Sequence, residues 1–109
     1  MVTNKTNGKL IANQIVPADR FSRRFKGLMF DTRLSADTVW VFPNCQCVHT
    51  FFMRYPITVL FLDADKRVIK KETAIFPWKI SPWVSGAKFI IEGRTEIAEN
   101  VDAGDYLAF

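Results

Sequence analysis

The stretch from Pro56 to Phe76, "PITVLFLDADKRVIKKETAIF", constrains this chain more than any other. Pro56 presets its own backbone and keeps Tyr55 extended, so a strand begins there. "ITVLFLD" is rich in β-branched and aromatic residues, "DADK" (Asp63 to Lys66) has turn chemistry, and "RVIKKETAIF" is the returning strand. The rest of the chain repeats the pattern of short apolar runs between turn residues. "KLIANQIVPA", from Lys9 to a stop at Pro17, reads as a first strand. "VWVF" (Val39 to Phe42) is closed by Pro43 and Asn44, "KFIIEG" ends at Gly93, and Ala103–Gly104–Asp105 turns into a last strand, "YLAF".

Two segments have helical character. Asp19 is placed to cap "RFSRRFKGLMF", where Phe21, Phe25 and Leu28 share a face and the basic residues take the other. Gly27 ends or loosens that helix, and Thr95 is placed to cap "EIAENV". Roughly six strands with two short helices predict a mainly β (α+β) fold: a small antiparallel barrel-like domain. Residues 1–8, "MVTNKTNG", are polar and are expected to form a disordered tail, with residues 9–109 as a single β-rich domain.

Composition agrees. A chain of 109 residues suits one compact domain, and 49% hydrophobic residues argue against disorder. Ten phenylalanines provide a core that needs no disulfide or metal staple. The net charge of +4 permits an anionic partner without demanding one. Its basic groups, Arg20–Arg23–Arg24–Lys26 and Lys66–Arg67–Lys70–Lys71, read as two solvated faces. No continuous basic stripe is present, so no nucleic-acid partner is expected. The N-terminus has no apolar signal region and no run spans a bilayer, which reads as soluble and cytoplasmic as given, with an exported form lacking its leader left open.

The candidate chemistry lies in "CQCVHTFFM" (Cys45 to Met53), which holds both cysteines and the histidine. As an extended central strand it puts Cys45, Cys47, His49, Phe51 and Met53 on one face. Cys45 and His49 then have Cα atoms roughly 13 Å apart at a strand's rise per residue. Metal bonds of about 2.0–2.3 Å leave that distance too wide for all three residues to share one zinc. Carboxylates such as Asp63, Asp65 or Glu72 would have to complete any two-residue set, so no metal site and no cofactor are expected. A Cys45–Cys47 disulfide would be strained, since i and i+2 in a strand sit about 6–7 Å apart. Cys47 and His49 are same-face neighbours and remain the candidates for nucleophilic or redox chemistry, against the plainer reading of small buried hydrophobes with a hydrogen-bonded histidine.

Trp40, Trp78 and Trp83, with Tyr55 and Phe76, are placed to line an aromatic cleft. The loop "PWKISPW" (Pro77 to Trp83) is apolar enough that it either covers the core or forms a binding surface. Glu96 and Glu99 share a face of their short helix, by default a solvated one.

"FKGLMFDTRL" (Phe25 to Leu34), "HTFFMRYPITVLFLD" (His49 to Asp63), "FPW" before "GA…FIIEG", and a closing "AGDYL" occur in that order. Together they resemble the family called domain of unknown function 192, or uncharacterised protein family 0127, from about Lys9 to the end. The resemblance implies a small β-rich domain of bacteria and archaea, often exported or membrane-anchored in relatives, with no established activity. "FFMRYP" (Phe51 to Pro56) departs from the commoner Phe-Trp-Met-Lys-Asn-Thr pattern and lacks its polar Asn-Thr pair.

The expectation is a non-enzymatic binding or accessory module with an aromatic-framed cleft, its ligand contacts being Trp78, Trp83, His49 and Arg54. The alternative is a thiol-dependent enzyme or redox protein using Cys47 and His49. A small ligand or protein is the expected partner, and the chain is expected to be a monomer or weak homo-oligomer.

Overall fold

The computed structural model describes residues 1–17, 37–44, 56–75 and 83–109. The fold is mainly β. The described strands are β1 (Val2–Asn4), β2 (Leu10–Ala12), β3 (Gln14–Pro17), β4 (Thr38–Pro43), β5 (Ile57–Leu62), β6 (Val68–Ile75), β7 (Phe89–Gly93) and β8 (Leu107–Ala108), with one 3-10 helix at Thr95–Asn100. They form two sheets, β2-β1-β8 and β3-β4-β7-β5-β6. The expected barrel-like architecture is therefore two sheets among these residues, without closure into a barrel. The helix expected after Asp19, the strand Cys45 to Met53 and most of the loop beginning at Pro77 lie outside the described residues.

The hairpin predicted after Pro56 forms over Ile57–Ile75. β5 and β6 pair antiparallel from Ile57↔Ile75 to Leu62↔Val68, with irregularities on the way. The Asp63 carboxylate closes the turn by accepting from the N–H groups of Asp65 (2.9 Å) and Arg67 (3.0 Å). Lys66 takes φ 65°, an uncommon left-handed conformation for a non-glycine residue. β7 runs between β5 and β4 and is antiparallel to both. β4 and β5 consequently run the same way. The β3–β4 pair is parallel, Gln14↔Thr38 to Pro17↔Val41, an exception at one edge to the mostly antiparallel pairing expected. A parallel neighbour requires a long connection, which residues 18–36 have the length to supply.

Alternation along these strands builds a core on each face of the five-stranded sheet. Val39, Val41, Leu60, Leu62 and Ile91 meet Val2, Ile11, Ile97, Val101 and Leu107, which come from the small sheet and the 3-10 helix side. Trp40, Phe42, Ile57, Val59, Phe61 and Ile90 face the opposite way, with Ala87 and the half-buried Val16, Ile69 and Val84 against them. Phe42 and Phe61 are fully buried, and truncating either to alanine would cost about 3–5 kcal/mol.

Three local expectations are corrected. The strand predicted from Lys9 is two strands, broken at Asn13, whose backbone and side-chain nitrogens both donate to Asp37 Oδ1. That break sends β2 into one sheet and β3 into the other. Residues 1–8 contain β1, not only a tail: Val2 and Asn4 are fully buried. The Asn4 side chain donates to Asn100 O (3.0 Å) and Asp105 Oδ2 (2.7 Å), and accepts from Thr6 N (2.9 Å). Polarity here marks a satisfied interior hub, which composition cannot distinguish from a solvated tail. Finally, Thr95 does not cap its helix; the N-cap is Arg94, without a side-chain cap bond. The opposite end is held instead by Lys71, whose ammonium donates to Ala98 O (3.1 Å) and Val101 O (2.8 Å).

Candidate functional site

Of the expected ligand contacts, the described residues include Trp83 alone. Cys45, Cys47, His49, Arg54 and Trp78 lie outside them. Trp83 is 69% exposed, whereas its neighbour Val84 is half-buried against the Phe61–Ile90 face. The backbone then turns through Gly86, whose φ of 87° favours glycine, and Ala87 N donates to Val84 O (3.2 Å). Val84 anchors the segment and leaves the Trp83 indole outside the core.

Trp40, expected to line an aromatic cleft, is instead buried, at 7% exposure. It stacks on Phe42 at 6.4 Å between ring centroids. Its neighbour across the strands is a residue that the sequence reading passed over. Glu92 pairs with Trp40 of β4 on one side and Val59 of β5 on the other, and is 2% exposed. Directly opposite residues share a sheet face, so the three stand in one row, with a carboxyl group at the centre of an apolar surface. An acidic residue this deep is uncommon, because burying a charge is costly unless it is held by partners. The indole N–H of Trp40 has no hydrogen-bond acceptor among the described residues. A buried donor left so costs about 1–3 kcal/mol. The available signal was a single acid inside the apolar run "KFIIEG", in phase with Ile90.

Other polar groups have structural duties. Thr58 is fully buried and donates from Oγ1 to Thr73 O (2.6 Å), bridging β5 to β6. Glu72 pairs with Lys70 at 3.3 Å. Asp63 serves its turn. Among the described residues no three His, Cys, Asp or Glu side chains are grouped to hold a metal.

An open groove of about 440 Å³ runs between β6 and the 3-10 helix, lined by Lys71, Thr73, Thr95, Glu96, Ala98 and Glu99. Lys71 is committed to the helix carbonyls and to Asp102 (3.1 Å), and Glu96 lies 3.3 Å from Arg94. Asp105, nearby, is held below the ordinary carboxyl value of 3.8, first by the Asn4 amide, then by the Asp102 N–H, with Lys71 adding attraction and desolvation opposing.

These features define a small mainly β domain of two packed sheets with a buried acid at the centre of the larger one. The chain belongs to the family DUF192 (Uncharacterized ACR), whose profile matches residues 2–109. It is 34% identical over 111 residues to a UPF0127 protein of Thermococcus sibiricus, covering 96% of this chain and 71% of that protein. A UPF0127 protein of Pyrococcus furiosus is 35% identical over 119 residues, covering 95% and 93%. The fold is similar to the crystal structure of a protein of unknown function from Novosphingobium aromaticivorans, with TM-score 0.82, 21% identity, and coverage of 99% of this chain and 81% of that one. A putative transcription regulator from Sinorhizobium meliloti is similar at TM-score 0.72 and 20% identity, covering 86% and 79%.

Proposed function

We propose that this chain is a non-enzymatic binding module that presents Trp83 to a small ligand or a protein segment. The observation that carries the reading is the 69% exposure of Trp83 beside the half-buried Val84. An exposed indole on an anchored backbone offers a large, rigid, amphipathic contact at little entropic cost, the property that enriches tryptophan at recognition surfaces. Trp78, His49 and Arg54 are proposed as further contacts of the same surface, on their placement in sequence.

A thermal-shift screen of the whole chain against a panel of metabolites and short peptides tests the reading. At least one compound should raise the melting temperature of the wild type and lose that effect in Trp83→Ala. Ligands that stabilise both proteins equally, or a panel without a single hit, would count against it. Trp83→Ala should itself melt within a degree or two of the wild type, because an exposed side chain away from special features changes stability by about 0.5 kcal/mol or less.

A further inference from the structure

We propose that Asn7 is a latent modification site: the folded turn holds its side-chain amide intact, and release of β1 from the small sheet exposes that amide to spontaneous deamidation. Asn7 is the one asparagine of the chain followed by glycine; Asn4, Asn13, Asn44 and Asn100 precede Lys5, Gln14, Cys45 and Val101. The backbone nitrogen of residue 8 can attack the side-chain carbonyl carbon of Asn7, and glycine, with no side chain, leaves that nitrogen least hindered. The new C–N bond closes a succinimide ring. The bond from the same carbon to Nδ2 breaks, and the proton of the attacking nitrogen departs with Nδ2 as ammonia. Water then opens the ring at either carbonyl. The products are an aspartyl residue or an isoaspartyl one, whose backbone is longer by a methylene. Water is the only co-reactant, and nothing is oxidised or reduced.

Asn7 and Gly8 are both exposed, so water reaches them, and nothing lies within 4 Å of where a Cβ on Gly8 would stand. Hydrogen bonding is what restrains the reaction. The attacking nitrogen is engaged, Gly8 N donating to Asn4 O at 2.8 Å. The departing amide is engaged as well: Nδ2 donates to Asn100 O at 3.2 Å, while Oδ1 accepts from Lys9 N at 2.9 Å. The turn is also tied to Tyr106, with Lys5 N donating to Tyr106 O (2.8 Å) and Tyr106 N to Thr6 Oγ1 (3.0 Å). These contacts exist while β1 sits between β2 and β8. Local opening of that sheet frees the nucleophile and the leaving group together. The change is one-way. A carboxylate has no donor to offer Asn100 O. An isoaspartyl backbone also overfills a turn whose ends are set by Asn4 N on Lys9 O at 2.8 Å. This site is independent of Trp83.

The test follows each asparagine by peptide mapping of the full chain kept in mildly alkaline buffer, once folded and once in concentrated urea. Isoaspartyl product is counted with a protein isoaspartate carboxyl methyltransferase and labelled S-adenosylmethionine. In urea, position 7 should convert well ahead of Asn4, Asn13, Asn44 and Asn100. In the folded chain it should convert at least about tenfold more slowly than in urea, because only the opened fraction reacts. Val2→Ala removes core contacts of β1 and no hydrogen bond of the turn, and should raise the folded-state rate. Protein converted in urea and returned to buffer should melt below the unconverted chain handled identically. Equal rates at position 7 in the two states would overturn the proposal, as would a urea reaction without preference for that position. So would an unchanged rate in Val2→Ala, or a converted chain that melts with the unconverted one. If Val2→Ala fails to fold, sub-denaturing urea on the wild type takes its place, and the rate at position 7 must then climb with urea.

Discussion

At the scale of single residues, the most informative groups are polar side chains removed from water. The buried Asn4 side chain donates to the half-buried Asp105, and that contact gives a pH prediction with a definite sign. The folded pKa of Asp105 is depressed below 3.8, so the unfolded chain binds its proton first as pH falls. Its contribution is fully present above that value and is lost as pH falls through the lower folded value. Asp105→Asn should therefore melt lower than the wild type at neutral pH, and the gap should close below about pH 3.8, as followed by circular dichroism. A gap that stays constant to pH 2 would contradict the linkage. Lys71 gives a second prediction. Its ammonium holds two helix carbonyls and the 85%-exposed Asp102. Lys71→Met should cost about 1.5–3 kcal/mol in urea denaturation, the range for hydrogen bonds from a charged donor. Asp102→Ala should cost under about 1 kcal/mol, since an exposed carboxylate contributes little to its ion pair.

At the scale of elements, tight packing replaces hydrogen bonding as the decisive term. Gly93 ends β7 where a Cβ would stand 2.9 Å from Ile97 Cδ1 and 3.1 Å from Val39 Cγ1. Gly93→Ala should cost about 1–3 kcal/mol by overpacking. Ile97→Val removes the nearest clashing methyl, so the double variant should be more stable than the sum of the single costs, a coupling measurable by a double-mutant cycle. The hairpin of β5 and β6 was legible in sequence because one strand pattern, one turn and a returning strand follow each other locally. β4 and β7 were legible each as a short apolar run closed by turn residues, Pro43–Asn44 and Gly93. The break at Asn13 was not, since it depends on Asp37, far along the chain. Nor was the burial of Trp40 and Glu92: strand alternation tells which residues share a face, but not what covers that face. Thr95 had the chemistry of a cap, yet the helix is a 3-10 segment fixed from outside by Lys71.

At the scale of the whole molecule, the two sheets share a core layer to which the N-terminal strand contributes. Val2 is fully buried among Ile11, Leu62 and Leu107 in that layer. Deleting residues 1–5 should cost at least about 2 kcal/mol, the burial of one valine side chain, before the Asn4 contacts are counted. A truncated chain that melts with the wild type would show that β1 adds nothing to the core. No helix among the described residues is long and apolar enough to cross a membrane. The fold class was readable from strand spacing and turn residues, while the division into two sheets was not. That division follows from β1 reaching β8, a pairing between opposite ends of the chain.

The Asn4–Asp105 contact joins residues 101 positions apart. During synthesis β1 and β2 emerge well before β8 and must wait for it before their sheet can close. β4 and β5 likewise lie on either side of β7, so the centre of the larger sheet has no partner strand until residues 89–93 are made. Loop closure over such distances is slow relative to local hairpin formation. The β5–β6 hairpin can thus form locally at once, while the apolar edges of β4 and β5 that face β7 stay open until residues 89–93 are made.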